Sequence, residues 1–284
     1  MGAEYILCAQ RCWVENPLKR RLLKTDSSIE GIVRAHDSSA DTLYVVIPAY
    51  NEGRSIARVV ERVRSCFPTS IITVVNDGSS DETAVKATAA GAHVINLPFN
   101  AGYGVALHTG LIWAHRQGAK QVITQDADGQ HDAAEARKLL SALRDGADIA
   151  LGSRYRAGSQ CYRVPVSRRL GALLFAWLLT RLSRTEITDP TTGFQALNAK
   201  ALKVLVQLPD FPERTPDADV LLFARRSGCR IVEVPVAMYA DESNDSMHGI
   251  WKSLFYVPKM LVAMFAVMLN RPREKTVSPG GGAR

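Results

Sequence analysis

Short apolar runs alternate with segments of helical periodicity along the middle of the chain, and this alternation constrains the fold more than any other feature. The apolar runs occupy residues 43–47, 71–75, 94–95, 121–124 and 148–151. Runs this short, bounded by polar or turn residues, are typical of buried strands. Strands that alternate with helices predict an α/β fold, with a mostly parallel central sheet flanked by helices.

The segments between the runs carry helix signals. The first segment spaces its apolar residues as one helix face requires, at Ile56, Val59, Val60 and Val63. Residues 104–117 are predicted to form another helix. Ser79 and Glu82 have the spacing of a capping box, which predicts that a helix begins there. His131 is expected to cap the helix that follows it.

Polar side chains follow four of the five predicted strands. They occupy residues 50–52 after the first strand, 76–81 after the second, the Asp126 and Asp128 pair after the fourth, and Arg154 after the fifth. Ligands of such sheets bind beyond the carboxyl ends of the strands. Helix capping would account for some of these residues. It would not account for two carboxylates in one turn, nor for an arginine at the fifth strand end.

Asp126 and Asp128 directly follow the fourth predicted strand, and Gly129 follows them. Carboxylate oxygens are preferred ligands of Mg²⁺ and Mn²⁺, and Mg²⁺ held by one or two carboxylates keeps positions for phosphate and water. The pair therefore predicts metal-assisted chemistry on a nucleotide-linked substrate. By itself it is also compatible with an ordinary Asp-x-Asp turn.

Charge and cysteine content limit the partners and the compartment. The net charge of +7 favours anionic partners such as phosphate, lipid head groups or nucleic acid. The basic residues are not interleaved with aromatic residues on a recognisable platform, so we expect no nucleic-acid partner. The five cysteines are scattered, and the chain begins without a secretory pattern. These features predict a cytoplasmic protein with reduced thiols.

Ordered segments between residues 43 and 265 resemble the family 2 glycosyltransferases. They are VIPAYNE (46–52), VNDGSSD (75–81), NAGYG (100–104) and QDADGQH (125–131). Three later segments are similar to those of the polyprenyl-phosphate sugar synthases, the branch of dolichyl-phosphate mannose synthase. They are GSRY (152–155), SRR (167–169) and DPTTGF (189–194).

This resemblance implies a GT-A fold, a nucleotide-sugar donor such as GDP-mannose or a UDP-sugar, Mg²⁺ or Mn²⁺ as cofactor, and inversion at the anomeric carbon. The donor nucleotide would be bound by Pro48, Ala49, Tyr50, Glu52, Asp77, Gly104 and Asp126. The metal would be held by Asp128, Asp126 and Gln130, with Asp128 as the direct ligand. The catalytic residues would be Asp128, Arg154 and Arg168, the two arginines meeting the acceptor phosphate or the donor diphosphate.

The resemblance implies that the acceptor is a polyprenyl phosphate, and the arginine content independently favours a phosphate acceptor. Residues 149–185 contain seven arginines and no Asp, Glu or Lys, and arginine suits bidentate contact with phosphate. A phosphate acceptor is already ionised at neutral pH, so it needs no general base. Two alternatives stay open: a soluble small-molecule acceptor, which the acidic residues within 239–249 favour, and a non-catalytic subunit that binds nucleotide sugars.

The predicted organisation has four parts: an N-terminal extension (1–41), a GT-A catalytic domain (42–240), an acidic loop with an apolar helix (241–270) and a flexible tail (271–284). The apolar stretches 170–179 and 250–269 are too short, or too interrupted by lysine and proline, to span a bilayer comfortably. We expect them either to contact the cytosolic face of a membrane or to pack on protein, including a second copy in a homo-oligomer.

Overall fold

The computed structural model describes residues 42–161, 179–182, 185–208, 211–213, 216 and 218–239. All of them lie in one compact unit of the chain, which begins at Ala40. The predicted N-terminal extension, Arg168, most of the stretch 170–179 and everything after residue 239 lie outside the described residues. The prediction of C-terminal apolar helices falls there.

Seven strands form the central sheet. They are β1 (Leu43–Ala49), β2 (Ile71–Asn76), β3 (His93–Asn96), β4 (Gln121–Thr124), β5 (Ile149–Ser153), β7 (Gln195–Asn198) and β8 (Ile231–Pro235). Their order across the sheet is β3-β2-β1-β4-β7-β5-β8. Within this sheet only β7 runs antiparallel to its neighbours, β4 and β5. Two short strands, β6 (Gln160–Cys161) and β9 (Ala237–Met238), pair separately.

Helices accompany the strands on both faces of the sheet. They include α1 (Ile56–Cys66), α2 (Thr83–Ala89), α3 (Tyr103–Arg116), α4 (Ala136–Arg144), α5 (Ala199–Val206) and α6 (Ala218–Arg226). A short 3₁₀ turn, Ala133–Glu135, precedes α4. The predicted α/β architecture with a mostly parallel sheet is confirmed.

Burial of strand β1 on both of its faces explains why the first apolar run does not alternate with polar residues. Val46 packs into one core cluster with Leu107 and Leu111 of α3. Its neighbours Val45 and Ile47 point to the other face of the sheet and join the cluster of α1 and α4. Because helices cover both faces, every residue of β1 is buried.

The parallel direction of β1, β2, β4 and β5 brings their carboxyl ends to one edge of the sheet, as predicted. Because β7 runs the opposite way, its first residues also lie at this edge. The polar residues that follow four strands and precede a fifth therefore meet in one region. Among the helices of the described residues, none combines the length and hydrophobicity needed to cross a bilayer.

Candidate active site

A cleft of about 430 Å³ opens at the carboxyl edge of the sheet. Seven of the predicted site residues line it: Pro48, Ala49, Tyr50, Glu52, Asp77, Asp126 and Asp128. Residues without a predicted role also contribute, among them Tyr103, Thr191, Thr192 and Gly193. These four belong to the NAGYG and DPTTGF segments, so the motifs marked the region although they did not reveal each residue's part.

The turn after β1 is hydrogen-bonded to the loop after β2. Asn51 adopts a positive φ of 56°, its backbone N–H donates to Ser79 Oγ at 2.9 Å, and its side-chain oxygen accepts from Ser80 N at 2.9 Å. Gly53 N donates to Asp81 Oδ2 at 2.9 Å. This network fixes the turn that directly follows Tyr50, a residue that stays 48% exposed at the cleft.

The capping box predicted for Ser79 and Glu82 is not formed. Helix α2 begins at Thr83, and Glu82 makes no side-chain cap. The carboxylate of Asp81 accepts from Thr83 N at 3.0 Å instead. The hydroxyl of Ser79 is used by the neighbouring turn, through Asn51.

Asp77 lines the cleft and positions a neighbouring loop. Its side chain is almost fully buried, and its two carboxylate oxygens accept from Ala101 N at 2.7 Å and Gly102 N at 2.9 Å. These bonds hold the loop that leads into α3. Each of these oxygens can accept a second hydrogen bond, so the two observed bonds leave room for the donor base. Contact of Asp77 with that base stays a prediction.

The Asp-x-Asp turn presents two half-buried carboxylates. Asp126 Oδ1 accepts from the Tyr103 hydroxyl at 2.8 Å. Asp128 Oδ1 accepts from Gln130 N at 2.9 Å, across a turn that Gly129 closes with a φ of 80°. The backbone carbonyl of Gln130 accepts from Tyr239 N at 2.9 Å. Gln130, predicted as a metal contact, is not among the residues that line the cleft.

His131 does not cap the next helix, contrary to the prediction. Asp132 does so, because its carboxylate accepts from Ala134 N at 3.0 Å. His131 is buried, and its Nδ1 accepts from the backbone N–H of Asp126 at 3.2 Å.

Arg154 is bonded to Asp189, a fully buried residue that the sequence did not single out as its partner. Its Nε donates to Oδ2 at 2.7 Å and its Nη2 to Oδ1 at 2.8 Å, while Nη2 also reaches Thr191 Oγ1 at 3.2 Å. Arg154 is not among the residues that line the cleft. The pair instead holds the loop that brings Thr191 to Gly193 into it.

A second buried carboxylate supports the same loop. Glu233 Oε1 accepts from Thr188 N and Asp189 N, both at 2.8 Å, and Oε2 accepts from the Thr188 hydroxyl at 2.8 Å. Burial raises the pKa of Glu233 above its ordinary value, although these hydrogen bonds act in the opposite direction.

Gly104 lies at the start of α3, where it contacts the backbone of another segment. Its N–H donates to the carbonyl of Glu213 at 2.7 Å, and a methyl group at this position would collide with the Pro212 carbonyl. The ring of His108, one turn further along, stacks on Phe211 at 4.4 Å. The absence of a side chain at Gly104 thus allows residues 211–213 to pack against α3. Pro216, which follows them, lines the cleft.

Comparisons with known proteins agree on the family. The chain matches the model for Glycosyl transferase family 2 over residues 44–206. It is 34% identical to a polyprenol monophosphomannose synthase of Mycolicibacterium smegmatis, over 75% of this chain and 84% of that protein. It is 30% identical to an undecaprenyl-phosphate mannosyltransferase of Micrococcus luteus, over 71% of this chain and 85% of that protein.

A similar solved structure is glucosyl-3-phosphoglycerate synthase from Mycobacterium tuberculosis, in complex with Mn²⁺, UDP and phosphoglyceric acid. The TM-score is 0.58 at 20% identity, with 88% of this chain and 86% of that chain covered. The fold is that of a GT-A glycosyltransferase. The family model and the sequence matches show that the chain belongs to glycosyl transferase family 2.

Proposed function

We propose that this chain is an inverting, metal-dependent hexosyltransferase that moves a sugar from GDP-mannose or a UDP-sugar onto a polyprenyl phosphate at the cytosolic face of a membrane. The observation that carries the proposal is the joint placement of Asp126 and Asp128 with Tyr50 and Asp77 in one cleft. The aromatic ring suits a nucleotide base, and the carboxylates suit ribose hydroxyls and a metal ion. The names of the two relatives support the lipid-phosphate acceptor.

The charge of the cleft fits Mg²⁺ or Mn²⁺. Its described lining contains Glu52, Asp77, Asp126 and Asp128 but no Lys, Arg or His. This lining would repel a diphosphate alone and would attract a divalent cation. Within the described ranges no group of three or more His, Cys, Asp or Glu side chains could hold a metal. A small oxygen-ligand set is nevertheless normal where phosphate and water complete the coordination.

Asp128 would be the direct metal ligand, assisted by Asp126 and by Gln130 as the predicted third contact. When bound, the ion neutralises charge on the departing nucleoside diphosphate. The protein's own residues would position the donor. The hydrogen-bonded turn around Asn51 presents Tyr50 and Glu52 to the cleft, and Asp77 holds the loop before α3. No general base is assigned, because a phosphate acceptor carries its charge already.

Two arginines were predicted to contact phosphate, and their proposed roles now differ. The guanidinium of Arg154 is bonded to Asp189, so its contribution would come through the position of Thr191 and Gly193. Arg168 keeps the predicted contact with the acceptor phosphate or the donor diphosphate.

A transfer assay tests this function. The purified chain is incubated with Mn²⁺, radiolabelled GDP-mannose, UDP-glucose or UDP-N-acetylglucosamine, and undecaprenyl phosphate in detergent. Label that moves into the organic phase with one donor, and not with the Asp128→Asn variant, supports the proposal. Label transferred only to a water-soluble phosphorylated acceptor such as 3-phosphoglycerate would replace the lipid acceptor by a soluble one. Donor binding without transfer to either acceptor would indicate a binding subunit.

A further inference from the structure

Asp126 is held at both its backbone and its carboxylate by residues from outside the Asp-x-Asp pair. The Tyr103 hydroxyl, in the first turn of α3, donates to Oδ1 at 2.8 Å. The backbone N–H donates to Nδ1 of His131 at 3.2 Å. Residues from two different elements of the fold thus hold Asp126, Tyr103 at its carboxylate and His131 at its backbone.

The His131 ring is itself fixed. It is buried and stacks on Phe194 with ring centroids 4.9 Å apart and an interplanar angle of 16°. Its backbone forms an isolated antiparallel bridge with Met238. Because Nδ1 accepts a hydrogen bond, the neutral ring carries its proton on Nε2, which lies 3.7 Å from Asp126 Oδ2.

The bond from Asp126 N to His131 joins the two ends of the turn that contains Asp128. Inside this closed turn, Gln130 N donates to Asp128 Oδ1 at 2.9 Å. The relative position of the two carboxylates is therefore set by His131 from one side and by Tyr103 from the other. Partners that orient ligand carboxylates commonly matter almost as much as the ligands themselves.

We propose that Tyr103 and His131 are positioning residues for metal-assisted donor binding, acting through the orientation of Asp126. This inference rests on the proposed function, because it supposes that Asp126 and Asp128 together meet a divalent cation and a nucleoside diphosphate. Tyr103 and His131 do not themselves need to touch the substrate for this role.

Conservative variants separate positioning from folding. Tyr103→Phe keeps the ring that packs against the core and removes only the hydroxyl. His131→Leu removes the acceptor, and His131→Asn restores a side-chain oxygen near the place of Nδ1. Tyr44→Phe is the matched control, because Tyr44 donates to the Gln117 carbonyl at 3.3 Å at the amino end of β1, away from the cleft.

The measurement is binding of GDP and UDP by isothermal titration calorimetry, with and without Mn²⁺, together with the melting temperature of each variant. Tyr103→Phe and His131→Leu should weaken Mn²⁺-dependent binding about 10- to 100-fold, with a smaller loss for His131→Asn. Tyr103→Phe should leave the melting temperature close to that of the parent, and Tyr44→Phe should leave both the melting temperature and nucleotide binding close to those of the parent.

Unchanged Mn²⁺-dependent binding in Tyr103→Phe would overturn the inference while leaving the proposed function standing. A parent protein whose nucleotide binding does not respond to Mn²⁺ would overturn both. If His131→Leu fails to fold, the comparison of Tyr103→Phe with Tyr44→Phe decides the question.

Discussion

Gly193 lies directly against the carboxylate of Asp126: a methyl group on its Cα would be 2.5 Å from Oδ1 and 2.8 Å from Oδ2. Gly193→Ala must therefore displace either Asp126 or the loop after Asp189. We expect a loss of about 1–3 kcal/mol in the free energy of unfolding. We also expect a fall in transfer rate of about 100-fold, because misplacement by about 1 Å in an active site has effects of this size.

Gly228→Ala is the control for that experiment. Gly228 has a positive φ of 83°, and beyond its two chain neighbours a methyl group on its Cα would meet no atom of the described residues within 4 Å. Alanine there costs about 1–2 kcal/mol of backbone strain without contact to the cleft. Denaturant unfolding and a transfer assay on both variants make the comparison. Equal activities at equal stability loss would show that the approach of Gly193 to Asp126 has no catalytic consequence.

Asp128→Asn should lower metal-dependent transfer by at least about 100-fold. Asparagine keeps the size of the side chain and one oxygen for the Gln130 N–H, but it loses the negative charge that favours a divalent ion. Titration of Mn²⁺ into the variant in the presence of nucleotide, beside steady-state rates, measures both effects. A variant with parental Mn²⁺ response would remove Asp128 from the metal site.

Arg154→Ala should destabilise the protein by about 3–5 kcal/mol, because it leaves the fully buried carboxylate of Asp189 without its ionic partner. Arg156→Ala should cost only about 1 kcal/mol. Arg156 is partly exposed and lies 3.7 Å from Glu233, and the buried Glu233 carboxyl keeps its three hydrogen bonds from Thr188 and Asp189. Urea unfolding distinguishes the two. If Arg154→Ala retains parental stability yet loses transfer, Arg154 acts directly on phosphate and its bond to Asp189 is secondary.

The stability of the fold should depend on the protonation of Glu233. Its pKa is raised in the folded state by burial, so below about pH 4.5 the carboxyl is protonated in both states. As the pH rises towards the folded-state pKa, the unfolded chain loses its proton first, and the free energy of unfolding falls until the pH exceeds that pKa.

Glu233→Gln should remove this part of the pH dependence. Its Oε1 can still accept from Thr188 N and Asp189 N, and its Nε2 can donate to the Thr188 hydroxyl. Urea unfolding of parent and variant from about pH 4 to about pH 8 measures the difference, in which contributions of other carboxyls cancel. Parallel curves would mean that Glu233 has the same pKa in both states.

Much of the sheet could be predicted because its strands are buried on both faces, and this produces apolar runs that are visible without any partner. Strand β7 could not be predicted. Gln195–Asn198 has only two apolar residues between polar ends, and its direction is set by hydrogen bonds to β4 and β5, which come from distant parts of the chain. The prediction of a mostly parallel sheet was therefore confirmed, without revealing the one reversed strand.

In the site, the motifs located the cleft better than they located individual contacts. Arg154 and Asp189 stand 35 positions apart, and nothing local marks them as a pair. Ser79 and His131 have sequence contexts that favour helix capping, yet Ser79 accepts from Asn51 N in a neighbouring loop and His131 accepts from Asp126 N within its own turn. Tertiary contacts decided the cases of Arg154 and Ser79, because only the fold brings those partners together.

The reversed strand β7 restricts which changes in sequence the cleft can accommodate. It is hydrogen-bonded on both sides, and its central residues Ala196 and Leu197 are buried on opposite faces. Sliding it by one position would drive a polar end residue into a core. An insertion between Asp189 and Gln195 must consequently be taken up in the loop and not in the strand, so replacing Thr191 or Thr192 in place is the simpler way to reshape the lining of the cleft.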